Sequence, residues 1–200
     1  MVTWIAALAV LASVGAASAA DCALTLDRLV RGSDRIVTGT LTVSHAEKLS
    51  VMLNEAADGP ADIVVTYVDI APTAYITGRS DDRPTLRLLG GRWGDWAIVD
   101  VDGPMIEDGE EALLFMAESE TPRRDQGVAY YLPEGRLGKL DIAWRKGERV
   151  VVPPSETGNL GLTPNGVDVG EGWIDLDTVR QMIGEAVASQ AAAAAAPASK

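Results

Sequence analysis

The chain has 200 residues, with 29 Asp and Glu against 17 Lys and Arg and a single His, a formal charge of −12. A field of that sign repels phosphate backbones and anionic lipid headgroups, which argues against nucleic acid and peripheral membranes as partners. One Cys cannot form an intrachain disulfide, and one Cys with one His falls short of a zinc ligand set.

Residues 1–19 read as a signal peptide. They carry no charged side chain, an apolar run extends from Ile5 to Val14, Gly15 interrupts it, and Ala17-Ser18-Ala19 supplies the small-x-small pattern of a cleavage site. The n-region lacks Lys and Arg. An uncleaved anchor is the rival reading, but a spanning helix needs about 20 strongly apolar residues and this stretch is Ala-rich and broken at Gly15. Lipidation of Cys22 would need a small residue before it, and Asp21 stands there. The expected address is periplasmic or secreted. About 180 residues remain after cleavage, one domain by the length prior.

The β domain is expected over 20–152. It opens on a short helix capped by Thr25, with Leu26, Leu29 and Val30 on its apolar face and Gly32 at its end. From Arg35 to Ser44, Val37, Leu41 and Val43 alternate with Thr and Ser, the period of a half-buried strand, and Gly39 on the apolar face marks a bulge or a close neighbour. A second strand is predicted near Lys48–Asn54, followed by a turn at Asp58-Gly59-Pro60. Asp62–Ile70 is rich in β-branched residues and reads as a central strand. Pro72 then interrupts the ladder before Ala74–Thr77. Thr85–Leu89 and Ala97–Val101 are short strands on either side of Gly90-Gly91 and a loop, Arg92-Trp93-Gly94-Asp95-Trp96. Asp108-Gly109 marks a tight turn, and the unbroken apolar run Ala112–Met116 predicts a strand buried on both faces. Val128–Leu132, Lys139–Trp144 and Glu148–Val152 complete the strands.

Residues 153–172 form an expected loop, 173–190 a C-terminal helix with Asp175 as N-cap and Leu176, Val179, Met182, Ile183 and Val187 at helical spacing, and 191–200 a low-complexity tail. The expected fold is mainly β: an antiparallel barrel or sandwich between two helices.

Three stretches carry a resemblance: Leu29 to Thr40, Leu88 to Gly94, and Gly103 to Met116 with its Gly-Glu-Glu-Ala-Leu-Leu-Phe core. Together they resemble a set of uncharacterised exported bacterial β proteins, over roughly half of the mature chain, with Met105-Ile106 where an aromatic is commoner. The opening helix and the strands at 37–39 and 110–115 are also similar to netrin-like domains and the tissue inhibitors of metalloproteinases. That resemblance implies a barrel of the oligonucleotide/oligosaccharide-binding type and an enzyme-inhibiting activity. It does not imply N-terminal zinc chelation, since Asp21 precedes Cys22.

No G-x-S-x-G elbow accompanies His45, and Asp100-x-Asp102-Gly103 is followed by Pro104 where a calcium loop needs an oxygen ligand, so a turn is the better reading. Glu107, Asp108, Glu110 and Glu111 crowd one turn, where solvation and mutual repulsion suit them better than paired acid–base work. Trp144 and Trp173 read as structural. Arg92, Trp93 and Trp96 are the candidate binding residues, because Trp and Arg dominate interface hot spots and indoles stack on sugar rings. Against that stands a core role, in which the two Trp cap the barrel; an extended 93–96 segment would place them on opposite faces. The expectation is a non-catalytic, cofactor-free binding module for a protein or carbohydrate, with a netrin-like inhibitor as the alternative and a carboxylate-only hydrolase behind it.

Overall fold

Alternation, helical spacing and turn glycines convert into a mainly β structure flanked by two helices. The computed structural model describes residues 26–51, 61–78, 83–120, 127–152 and 173–195. The leader, Cys22, Thr25, the turn at 58–60 and the loop at 153–172 lie outside the described residues. Helix α1 spans Leu26–Arg31 and buries Leu26, Leu29 and Val30; the Gly32 N–H closes it on the Arg28 carbonyl at 3.0 Å.

Strands β1 (Arg35–Val51) and β2 (Ala61–Thr77) form one long antiparallel ribbon, so the two strands predicted at 35–44 and 48–54 are a single element. The polar pair Ser44-His45 does not break β1, because a register shift between Val43 and His45 absorbs it. Pro72 does not end β2 either. It faces Gly39 at another register shift, and a Cβ on Gly39 would approach the Ala71 carbonyl to 2.8 Å. A missing donor and a missing side chain therefore meet where the ladder is already irregular.

Strands β3 (Thr85–Leu89), β6 (Glu111–Glu118) and β7 (Ala129–Tyr131) complete a closed ring: β1–β2–β3–β7–β6 and back to β1. The sheet is mixed, not purely antiparallel, since β3 and β7 run parallel at Thr85/Ala129 and Leu86/Tyr130. Beyond the ring, β6 also pairs with β8 (Lys139–Arg145), followed outward by β9 (Glu148–Val152) and β10 (Ile174–Asp175).

The predicted two-sided burial of the 112–116 run holds. Ala112, Leu114 and Met116 face a core inside the ring with Val37, Leu41, Val68 and Ile70. Leu113 and Phe115 face outward into a second core with Ile36, Leu140 and Val151. Helix α2 (Leu176–Ala195) covers that outer core with Leu176, Val179 and Ile183, and α1 packs beside it. Asp175 caps α2 as expected, its Oδ2 accepting the Thr178 N–H at 2.9 Å. Each large side chain in these layers stabilises by about 1.5–3 kcal/mol.

Trp144 departs from its expected structural role. Leu140, Ile142 and Trp144 do share a face, but β8 outruns the helix-covered core: Leu140 is buried, Ile142 half-buried and Trp144 exposed beside the Lys146-Gly147 turn.

Candidate functional site

Beyond Leu89 the chain must reverse over the inner face of the ribbon, and two glycines allow it. Gly90 and Gly91 have φ of +93° and +118°, which L side chains rarely adopt, and a Cβ on Gly91 would overlap the Thr66 hydroxyl. The Gly90 N–H donates to the Val64 carbonyl at 2.8 Å, and the Thr66 hydroxyl donates to the Gly90 carbonyl at 2.8 Å. The segment expected as a loop is a small hairpin: β4 (Gly91–Trp93), a turn on Gly94 and Asp95, and β5 (Trp96–Ile98). Gly94, with φ of +58°, supplies the positive φ that a two-residue hairpin needs.

This hairpin overturns the expectation of opposite faces. Trp93 and Trp96 are directly paired across the turn, and cross-strand partners share a face. They are 45% and 48% exposed, so neither is core. Arg92 pairs with Ala97 and belongs, by strand alternation, to the other face; its Nε reaches only the Gly94 carbonyl, at 3.5 Å. The structure thus brings the two indoles together and leaves Arg92 outside their pairing.

Lys48 and Asp62, from the far half of the ribbon, support the indoles. The Lys48 ammonium lies 4.6 Å from the Trp96 ring centre and 5.9 Å from that of Trp93, within cation–π range. It also donates to Asp62 Oδ2 at 2.7 Å, while the Ser50 hydroxyl donates to Oδ1 at 2.5 Å. Those hydrogen bonds, Lys48 first and Ser50 second, hold the Asp62 carboxyl below its ordinary value. Nothing in local sequence pattern points to Lys48 or Asp62, because only the β1–β2 register brings them together.

At the root of the hairpin lies a cleft of about 270 Å³. Val43, Thr66, Val68 and Leu88 are among its lining, and Val68 belongs to the core inside the ring, with Leu88 packed against it. Ile98, Val99, Pro104 and Ile106 line it as well, so the Gly90-Gly91 segment and the 103–106 segment border a single concavity. Several apolar side chains in and next to the cleft are exposed: Val99 and Met105 are 83% and 85% exposed, with Val43, Leu89 and Val101 also exposed.

The 99–110 wall is pinned along its length. Asp100 Oδ1 accepts the Asp102 N–H at 3.2 Å, the turn expected there. The Gly109 N–H donates to the Leu41 carbonyl at 2.8 Å, and Asp108 Oδ1 accepts the Val43 N–H at 3.0 Å. Lys139, buried, donates to the Met105 carbonyl at 2.9 Å, to Glu110 at 2.8 Å and to Asp141 at 2.7 Å. Burial alone would depress the Lys139 pKa, but the hydrogen bonds to Asp141 and Glu110 outweigh it and raise the value. The cleft is therefore pre-formed, which lowers the ordering cost of binding.

No family model, curated protein or solved structure matches the chain. The geometry of the site itself therefore carries the functional reading.

That geometry suits insertion and stacking. None of the four acids of the 107–111 turn lines the cleft: Glu107 is exposed beside the lining residue Ile106, Glu110 holds Lys139, Glu111 holds Arg149, and Asp108 takes a backbone N–H. Asp100 is the carboxylate that lines the concavity. His45 stacks on Tyr67 with ring centres 4.8 Å apart, and the Tyr67 hydroxyl donates to Glu47 at 2.7 Å. Burial, then the Glu47 hydrogen bond, raises the Tyr67 pKa. Among the described residues no group of three or more His, Cys, Asp or Glu is placed to hold a metal ion.

Proposed function

We propose that the chain is an exported, non-catalytic binding module on an OB-like barrel, and that its partner is a protein segment seated in the cleft beside Trp93 and Trp96. The single observation behind this reading is a pre-formed, mainly apolar cleft at the root of the hairpin whose tip carries the two half-exposed indoles, Gly91 and Ile98 lining the cleft and Trp93 and Trp96 lying beyond them on the same hairpin. Aromatic anchors beside desolvated pockets are where interface energy concentrates. Isolated exposed apolar residues are ordinary, but a contiguous group around a concavity is characteristic of a contact surface.

A protein partner is favoured over a sugar by the lining. Its polar side chains, Thr66 and Asp100, already engage Gly90 and Asp102, so a sugar's hydroxyls would find few partners, whereas an apolar side chain needs none. The OB-like reading draws support from the closed five-strand ring with its parallel third and fifth strands. Export rests on residues 1–19; no described helix is long and apolar enough to cross a membrane.

The test is a titration of the isotope-labelled chain with a panel of apolar peptides and a panel of oligosaccharides, followed by amide chemical shifts. Shifts confined to 88–106 with peptides, and lost in the Trp93→Ala/Trp96→Ala variant, are the expected result. Peptide binding unchanged by that double substitution would refute the site, and binding of sugars alone would refute the partner class.

A further inference from the structure

The charge around the cleft narrows the partner further; the step rests on the protein-binding reading above. Residues 89–110, which form the hairpin and the wall, hold Asp95, Asp100, Asp102, Glu107, Asp108 and Glu110 against a single cation, Arg92. Six carboxylates against one guanidinium put a formal −5 of the chain's −12 into this one segment. Lys139 neutralises Glu110 from beneath, but Asp95, Asp102 and Glu107 are exposed. Along Val99-Asp100-Val101-Asp102 the two valines are exposed between the carboxylates, so apolar and anionic groups are interleaved on one surface.

We infer that the cleft takes a cationic segment of a partner protein: an apolar side chain inserted among lining residues that include Ile98 and Ile106, flanked by Lys or Arg facing the exposed acids outside the lining, Asp102 and Glu107 next to the lining residues Gly103 and Ile106, and Asp95 in the hairpin turn. Charge complementarity of this kind steers encounter and rejects like-charged competitors. The indole pair fits the same partner. Lys48 already rests its ammonium 4.6 Å from the Trp96 ring centre, and both Trp residues keep about half of their surface in solvent, within reach of a second cation. An anionic segment would meet a wall, residues 99–110, whose own charged side chains are all carboxylates, with Lys139 and Arg136 the cations packed against it.

Three synthetic peptides with one central Leu, flanked by Lys, Ser or Glu, test this against the intact chain by calorimetry. At low ionic strength the Lys-flanked peptide is expected to bind about tenfold tighter than the Ser-flanked one, with the Glu-flanked one weakest. The difference is expected to shrink at about 1 M salt, where the Debye length falls to about 3 Å. Neutralising three exposed acids in Asp95→Asn/Asp102→Asn/Glu107→Gln should remove the Lys preference while the Ser-flanked peptide binds as before. Equal affinity for Lys and Ser flanks, or a preference that survives the triple variant, would overturn the cationic partner and leave the binding site standing if Trp93→Ala/Trp96→Ala still abolishes binding. Binding of no peptide, or a dimer of the chain itself that the double Trp variant dissociates, would overturn both readings.

Discussion

Strand β1 lives in opposite environments at its two ends, a division β2 does not share, since Val64, Val65, Tyr67 and Val68 stay buried opposite its open half. From Arg35 to Leu41, β1 is buried almost throughout, paired on both edges and covered by helices on its outer face. From Thr42 to Val51 it is exposed or half-buried, and β2 is its one ladder partner among the described residues. The helix-covered end uses its apolar side chains for folding. The open end keeps Trp93, Trp96, Val99 and Met105 in water, held on a pinned scaffold. Burial at the first end serves stability, and apolar exposure at the second is the feature on which the proposed binding role rests.

Substitutions should separate the two ends. The largest stability loss is expected from Phe115→Ala at the covered end, about 3–5 kcal/mol in denaturant unfolding, because the side chain is wholly buried between ring and helices. Lys139→Met sits between the two ends. It leaves Glu110 without its cation and frees the Met105 carbonyl, with an expected loss of about 3 kcal/mol. Its pH dependence has a definite sign. Because the folded pKa is raised, the Lys139 contribution is fully present below the ordinary value of 10.5 and disappears as pH rises through the folded value. Wild type and variant should therefore keep a constant gap through neutral pH and converge only in strong alkali.

Gly91→Ala strikes the hinge of the hairpin. Strain at φ +118° and overlap with Thr66 should cost about 1–3 kcal/mol and abolish peptide binding by lifting the hairpin off the ribbon. Trp96→Ala should be the mildest for folding, within about 1 kcal/mol, while weakening the peptide complex by at least that much. A large folding defect in Trp96→Ala would erase the distinction between the two ends.

The covered end was the more legible in sequence. Alternation located the first part of β1, β3 and β8, β-branched enrichment located β2, an unbroken apolar run located β6, and helical spacing with the Asp175 cap located α2, because those segments bury what their patterns advertise. The open end was harder to read. Trp93 and Trp96 stood out by residue type, yet a spacing of three suggested opposite faces until the Gly94-Asp95 turn put them opposite each other across a hairpin. A Gly-Asp pair between aromatic residues was the available signal. Lys48, Asp62 and the cleft lining were invisible because they depend on register and ring closure, which carry no local mark. Trp144 misled for a related reason: its face was right, but nothing in β8 announces where the core ends.

The most direct test of the division between the two ends is one paired measurement on Trp93→Ala/Trp96→Ala: the unfolding midpoint and the affinity for the Lys-flanked Leu peptide. A midpoint close to wild type with binding lost is the expected result. Intact binding, or a midpoint lowered as far as that of Phe115→Ala, would contradict the assignment.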